Sequence, residues 1–281
     1  MFERISYTFS LMGASWRVLK KDKELLLFPI LSGLCCVLVI ASFAIPFLAT
    51  GYWKPPAEGA SQTAQVTYYA LLFVFYVCNY FVMFFFNSAV IACAVVRMRG
   101  GNPTVKTGLQ AAFARIHLIF AWAVVSATVG LVLRIIEDRS KRAGAIVAAI
   151  LGTAWSVVTF LVVPVLVVEN AGPATAFKRS AQLLKGTWGE QVIGNFSFGI
   201  VFFLLSIPGI VLIAAGFLGG TPVSVALGVG LGVLYLIALG LIQSVLHSIF
   251  QAAVYLYAQD GRPPAGFDGA LLGDAMRPAE R

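Results

Sequence analysis

Of 281 residues, 59% are hydrophobic and 11% are charged, against about 25% charged in soluble globular domains. A chain of this length and make-up cannot cover itself with polar groups in water, which excludes an ordinary soluble domain. The balance of +8 and a pI near 9.5 would suggest nucleic acid in a soluble protein. Here the cations sit between apolar runs, as membrane orientation and anionic headgroups require, so no nucleic acid is expected.

The first segment, about residues 4–23, reads as an amphipathic helix. Ile5, Phe9, Met12, Trp16 and Leu19 recur at helical spacing, and Lys20, Lys21 and Lys23 close it before the first apolar run. No short apolar stretch with a small-residue cleavage site is present, so an uncleaved first span and no signal peptide are expected. Six runs follow, roughly 25–50, 66–96, 112–136, 143–168, 191–218 and 223–258, each as long as the ~20 residues a helix needs to cross the hydrocarbon core. The expected fold is all-α: a polytopic membrane bundle of six transmembrane helices in one integral membrane domain, with amphipathic helices at about 4–23, 104–115 and 173–185 and a C-terminal tail at 259–281. Cys35, Cys36, Cys78 and Cys93 all fall inside the runs and read as small packing residues.

Span two carries Tyr76, Asn79, Tyr80, Met83 and Asn87 along one side, with Asn79 near mid-bilayer if Tyr68 and Tyr69 form an outer aromatic belt. Residues 104–115 place Leu109 and Phe113 against Lys106 and Arg115, and His117 follows at the interface. The segment RIIEDRSKR ends span three with four cations offset by Glu137 and Asp138. Span four holds Pro164 and ends at Glu169, expected to pair with a cation of a neighbouring amphipathic helix or to cap the turn at Asn170. In the next segment Pro173 suits a first helical position and Gly186 a left-handed cap. Phe177, Ala181 and Leu184 share its apolar face, expected to lie in lipid, while Lys178, Arg179 and Lys185 lie off it. Pro208-Gly209 predicts a kink in span five.

Span six bears the clearest packing pattern. Ser224, Gly228, Gly232, Gly240, Ser244, Ser248 and Ala252 recur every four residues with one gap at Leu236, the device by which membrane helices approach closely. Internal packing and a homo-oligomer face both fit it. Gln243, His247 and Gln251 stack beside that strip, where they either line a polar path or bond neighbouring helices at the interface.

Lysine and arginine set the orientation. With six spans, fifteen fall on the side of the termini and five on the other, which predicts both termini in the cytoplasm; the hairpin 134–142 is the exception to that pattern. Matching Ser15, Leu19 and Lys20 to Ser180, Leu184 and Lys185 suggests three copies of one unit: amphipathic helix, span, return span.

The stretch VVPVLVVENAGPATAFKRSAQLLKGTW, residues 162–188, resembles a pattern found in bacterial multipass proteins, including the membrane domain joined to some glycerophosphodiester phosphodiesterases and small uncharacterised inner-membrane proteins. The phosphodiesterase barrel has no counterpart here, so the resemblance implies a bacterial inner (cytoplasmic) membrane bundle and carries no chemistry. The sequence offers no His-x-x-x-His, Cys-x-x-Cys, G-x-S-x-G or glycine-rich phosphate loop. No enzyme activity, metal or cofactor is therefore expected. The function expected is non-enzymatic: organising membrane, lipid or partner proteins, with the bilayer and anionic headgroups of Lys20, Lys21, Lys178, Arg179 and Lys185 as partners. The alternative is a homo-oligomeric pore or carrier lined by the polar residues of spans two and six.

Overall fold

A computed structural model describes residues 2–50, 61–139, 143–187 and 198–267. The described elements are helices: α1 (Phe2–Lys21), a 3-10 turn (Lys23–Leu26), α2 (Leu27–Thr50), α3 (Gln62–Met98), α4 (Val105–Ala114), α5 (Ile116–Arg139), α6 (Ala143–Val158), α7 (Val162–Val168), α8 (Pro173–Thr187), α9 (Phe198–Leu218) and α10 (Pro222–Asp260). Six stretches are long and apolar enough to cross a membrane: Lys23–Ala49, Gln62–Met98, Ile116–Asp138, Gly144–Val168, Val201–Leu218 and Pro222–Asp260. Their side chains tell the same story. Leu34, Leu38, Ile45, Ile150, Phe203 and Leu218 are each more than half exposed, a cost that lipid removes and water would not. The order is a shorter helix then two long apolar stretches, three times over, the order the sequence suggested; Ser15 and Ser180, the matched serines, are both fully buried.

Helix ends follow local chemistry. Thr104 caps α4 through its hydroxyl, which accepts from the Thr107 N–H at 3.2 Å. Thr221 and Ser224 form a reciprocal capping box at α10 with Pro222 in the first turn, and Gly261 closes that helix in the left-handed region. Asn170 takes φ +52° between α7 and α8, a conformation that asparagine tolerates better than most residues. Pro173 opens α8 as expected, but the helix runs through Gly186 to Thr187, so Gly186 is not the cap.

The fourth run is two helices. A proline at position 164 lacks an N–H, and its ring clashes with the carbonyl four residues back, that of Phe160. The chain accordingly leaves helical geometry between Val158 and Val162. Pro208 behaves differently: α9 is one continuous helix with that proline inside it.

The residues pack as two compact units, one drawn from Met1–Pro29, Ala94–Pro103 and Gly186–Arg281, the other from Ile30–Cys93 and Thr104–Lys185. In the first, α9 and α10 form a tight antiparallel hairpin, and α1 lies against α10. Leu11, Ala14, Val18, Val245, Ile249, Phe250 and Tyr255 make its core. The start of the tail folds back here: Arg17 donates to the Gly266 carbonyl at 3.2 Å, and Phe267 is buried. In the second unit α5 packs on α6 and α7. An aromatic ladder ties its helices together, from Phe84 to Trp122 (6.4 Å between ring centroids), Trp155 (5.7 Å, nearly parallel) and Phe177 (5.7 Å). Each such pair contributes about 0.5–1.5 kcal/mol beyond its buried area.

Candidate functional site

The expected polar stripes separate into unlike environments. On α3, Asn79 donates its amide to the Phe75 carbonyl one turn back at 2.9 Å, so it serves its own helix; Asn87 is half-buried. Tyr68 is 5% exposed and faces inward, not into an aromatic belt. On α10, Gln243 and His247 are half-buried, Gln251 is buried and Ser244 is exposed. At about 1.5 Å rise per residue, the ~20 residues that span a ~30 Å core end near Leu241 when counted from Pro222. His247 and Gln251 thus lie beyond it, in the length of α10 whose apolar residues are buried.

The packing strip of α10 divides in two. A Cβ on Gly228 would come within 2.5 Å of the Gly216 Cα and 2.7 Å of the Leu212 carbonyl, and one on Gly232 within 2.7 Å of the Gly209 carbonyl. Glycine is required at this crossing because backbone meets backbone. Gly240 has no neighbour within 4 Å of such a Cβ, and Ser244 is exposed, so they are outside that crossing.

The three shorter helices pack through small residues. In α8 the buried residues are Ala176, Ser180 and Leu183, which seat on protein, while Phe177 and Leu184, expected to lie in lipid, are half-buried. In α1, Leu11, Ala14, Ser15 and Val18 are buried with Met12 and Leu19, and Trp16 is 38% exposed. In α4 the seat is Gly108 and Ala112, and Phe113 is 58% exposed. Small residues let these helices settle closely, Trp16 of α1 and Phe113 of α4 turn outward, and Lys20 lies over the Trp16 ring at 5.8 Å. Lys20, Lys21, Lys106 and Lys178 are exposed. Arg179 reaches Glu169 at 3.4 Å, the pairing expected of that acid. Lys185 belongs to α8 but its side chain lies outside the described residues, as do residues 140–142 of the hairpin.

Two constellations had no counterpart in the sequence reading. Ser180 bridges the break in the fourth run: its hydroxyl donates to the Val158 carbonyl at 2.6 Å and accepts from the Leu161 N–H at 3.1 Å. One buried side chain on α8 thereby satisfies two groups released between α6 and α7. Asp22, 8% exposed, receives both Nε and Nη2 of Arg97 in a two-pronged pair, and Arg97 also donates to Asn102. That pair fastens the α1 end to the end of α3 inside the first unit.

These features define a polytopic α-helical membrane protein. The chain belongs to a family of unknown function (DUF6159), whose model matches residues 66–267. No curated protein and no solved structure matches it. The uncharacterised-family half of the resemblance at 162–188 therefore stands, and the likeness to phosphodiesterase membrane domains finds no support.

Proposed function

We infer that this is a non-enzymatic protein of the bacterial inner membrane that organises anionic lipid through the exposed cations of each unit, with both termini in the cytoplasm. The observation that carries the reading is the construction of the amphipathic helices. Their small residues seat on neighbouring helices within each unit while Trp16, Phe113, Lys20, Lys21, Lys106 and Lys178 stay outward, the pairing of aromatic and cation that suits an interface of anionic headgroups. The fifteen-to-five distribution of Lys and Arg supports the orientation. Arg179 contributes less than the lysines, since Glu169 already holds it.

The test uses the full chain in vesicles of phosphatidylglycerol and phosphatidylcholine, with spin-labelled phosphatidylglycerol as reporter. Each exposed lysine is worth about 1 kcal/mol toward anionic lipid, so changing Lys20, Lys21 and Lys178 to Gln should cut the motionally restricted anionic lipid severalfold, and 0.5 M salt should do the same to the parent. An unchanged restricted fraction would refute the reading.

A second reading, a carrier, draws support from the break at Val158–Val162, since interrupted helices line many transport sites. It expects solute flux in proteoliposomes that changes with His247→Ala or Gln243→Ala. Silence across ions and small metabolites would remove it.

A further inference from the structure

After α10 the chain turns back onto the first unit. Gly261 reverses it at φ +65°, Pro263 and Pro264 restrict its backbone, and the Phe267 N–H donates to the Pro264 carbonyl at 3.1 Å. Gly266 holds φ +94° in the third position of that turn, where a type II turn needs glycine. The turn lands on α1. A Cβ at Gly266 would lie 3.5 Å from the Val18 Cγ2, Arg17 donates to the Gly266 carbonyl at 3.2 Å, and Phe267 is buried.

The rest of this segment is lightly held. Arg262, Pro263, Ala265 and Gly266 are exposed and Pro264 is half-buried, and the bond from Arg17 is itself exposed. One phenyl ring therefore anchors a stretch stiffened by two prolines, which lifts as a unit when the ring leaves. The seat of α1 on α10 is modest without it. Small Ala14 and Ser15 lie beside Leu11 and Val18, and the Ser15 hydroxyl is buried with no hydrogen-bond partner among the described residues, which weakens the contact. Arg17, Lys20 and Lys21 crowd like charge along the exposed edge. A freed helix with Leu11, Met12, Val18 and Leu19 on one side and those cations on the other is suited to lie in the membrane interface. Its far end stays fastened, because Asp22 pairs with Arg97 there.

We propose that residues 261–267 are a strap that locks α1 onto α10, and that lifting Phe267 lets α1 swing about Asp22 and turn its apolar side to lipid. The lock is set by Gly266 and Phe267 and does not depend on the headgroup preference inferred above.

The experiment is double electron–electron resonance on the full chain in nanodiscs. In a cysteine-free background, spin labels are placed through Gly13→Cys on α1 and Gly240→Cys on α10, two positions where a Cβ meets no atom within 4 Å. Gly13 stands roughly 13 Å along α1 from Asp22, a lever long enough for release to register. The parent should give one main distance. Phe267→Ala should bring in a second population and raise the ratio of released to locked α1 at least about tenfold, as loss of a buried aromatic ring implies. Gly266→Val, which forces a β-branched residue into positive φ, should do the same while keeping the ring, and it decides the matter should Phe267→Ala not fold. Gly220→Val strains another positive-φ glycine of the same unit, before the opposite end of α10, and should keep the parent's distance. An unchanged distance in either strap variant that folds overturns the lock. An equal change in Gly220→Val overturns it too, since general loosening would then account for the release.

Discussion

Replacing Ser180 with Ala isolates the bond that holds the fourth run at its break. The hydroxyl makes two hydrogen bonds, 2.6 Å to the Val158 carbonyl and 3.1 Å from the Leu161 N–H, at a residue with no exposed surface. Alanine keeps the volume nearly constant, so packing changes little and the loss is polar. A buried backbone group left unsatisfied costs about 1–3 kcal/mol; side-chain hydrogen bonds within membrane bundles average nearer ~0.6 kcal/mol because the unfolded chain in lipid finds other partners. The first figure governs here, since the stranded groups are backbone with no helical partner to return to. A loss of about 3 kcal/mol is expected, roughly a hundredfold in the folded fraction. Equilibrium unfolding in mixed micelles, followed by far-UV circular dichroism, measures it. Ser156→Ala is the control: its hydroxyl bonds Gly152 of the same exposed turn and its loss should stay below about 0.5 kcal/mol. Restoring the N–H by Pro164→Ala should let α6 and α7 join, and in that background Ser180→Ala should cost at least about 1 kcal/mol less. A Ser180→Ala effect no larger than that of Ser156→Ala would refute the reasoning.

Three further outcomes are expected. Gly228→Leu, which drives a side chain into the Gly216 backbone, should destabilise the α9–α10 hairpin by more than about 2 kcal/mol, whereas Gly240→Leu should change unfolding by less than about 0.5 kcal/mol. Asp22→Ala strands Arg97, 21% exposed, and should cost about 3 kcal/mol by the same assay; Arg179→Gln, at the more exposed pair with Glu169, should cost less than about 1 kcal/mol. In a cysteine-free background, an impermeant maleimide added to intact cells should label Gln62→Cys and spare Lys178→Cys, and labelling of both would overturn the six-span topology.

The sequence disclosed the spans because burial in lipid demands an unbroken apolar run, which needs no knowledge of neighbours. It also offered a cation of the next helix as one of two partners for Glu169, met by Arg179 ten residues on, and internal packing as one of two roles for the small-residue strip, met at Gly228 and Gly232. It did not show which residues of α1, α4 and α8 pack on protein, for a definite reason. Hydrophobic patterning weights Trp16, Phe113 and Phe177 most, but close seating selects Ser15, Ala112 and Ser180, whose small size carries little hydrophobic signal. Pro164 was visible, yet the break it causes lies four residues earlier and is closed by a serine sixteen residues later. Asp22 and Arg97 are separated by 75 positions, and nothing local in either segment announces the other.

The length of α10 has a last consequence. Its 39 residues measure about 58 Å, well past the ~40–45 Å of a whole bilayer with headgroups, and the buried stretch Val245–Leu256 lies at the far end. One helix is thus held by two media: lipid tails around its first half, and the exclusion of water around its last. Urea and cold weaken the second kind of attachment and scarcely touch the first. Chilling or mild denaturant should loosen the end near α1 while the glycine-packed hairpin endures, so the protein has a built-in order of disassembly.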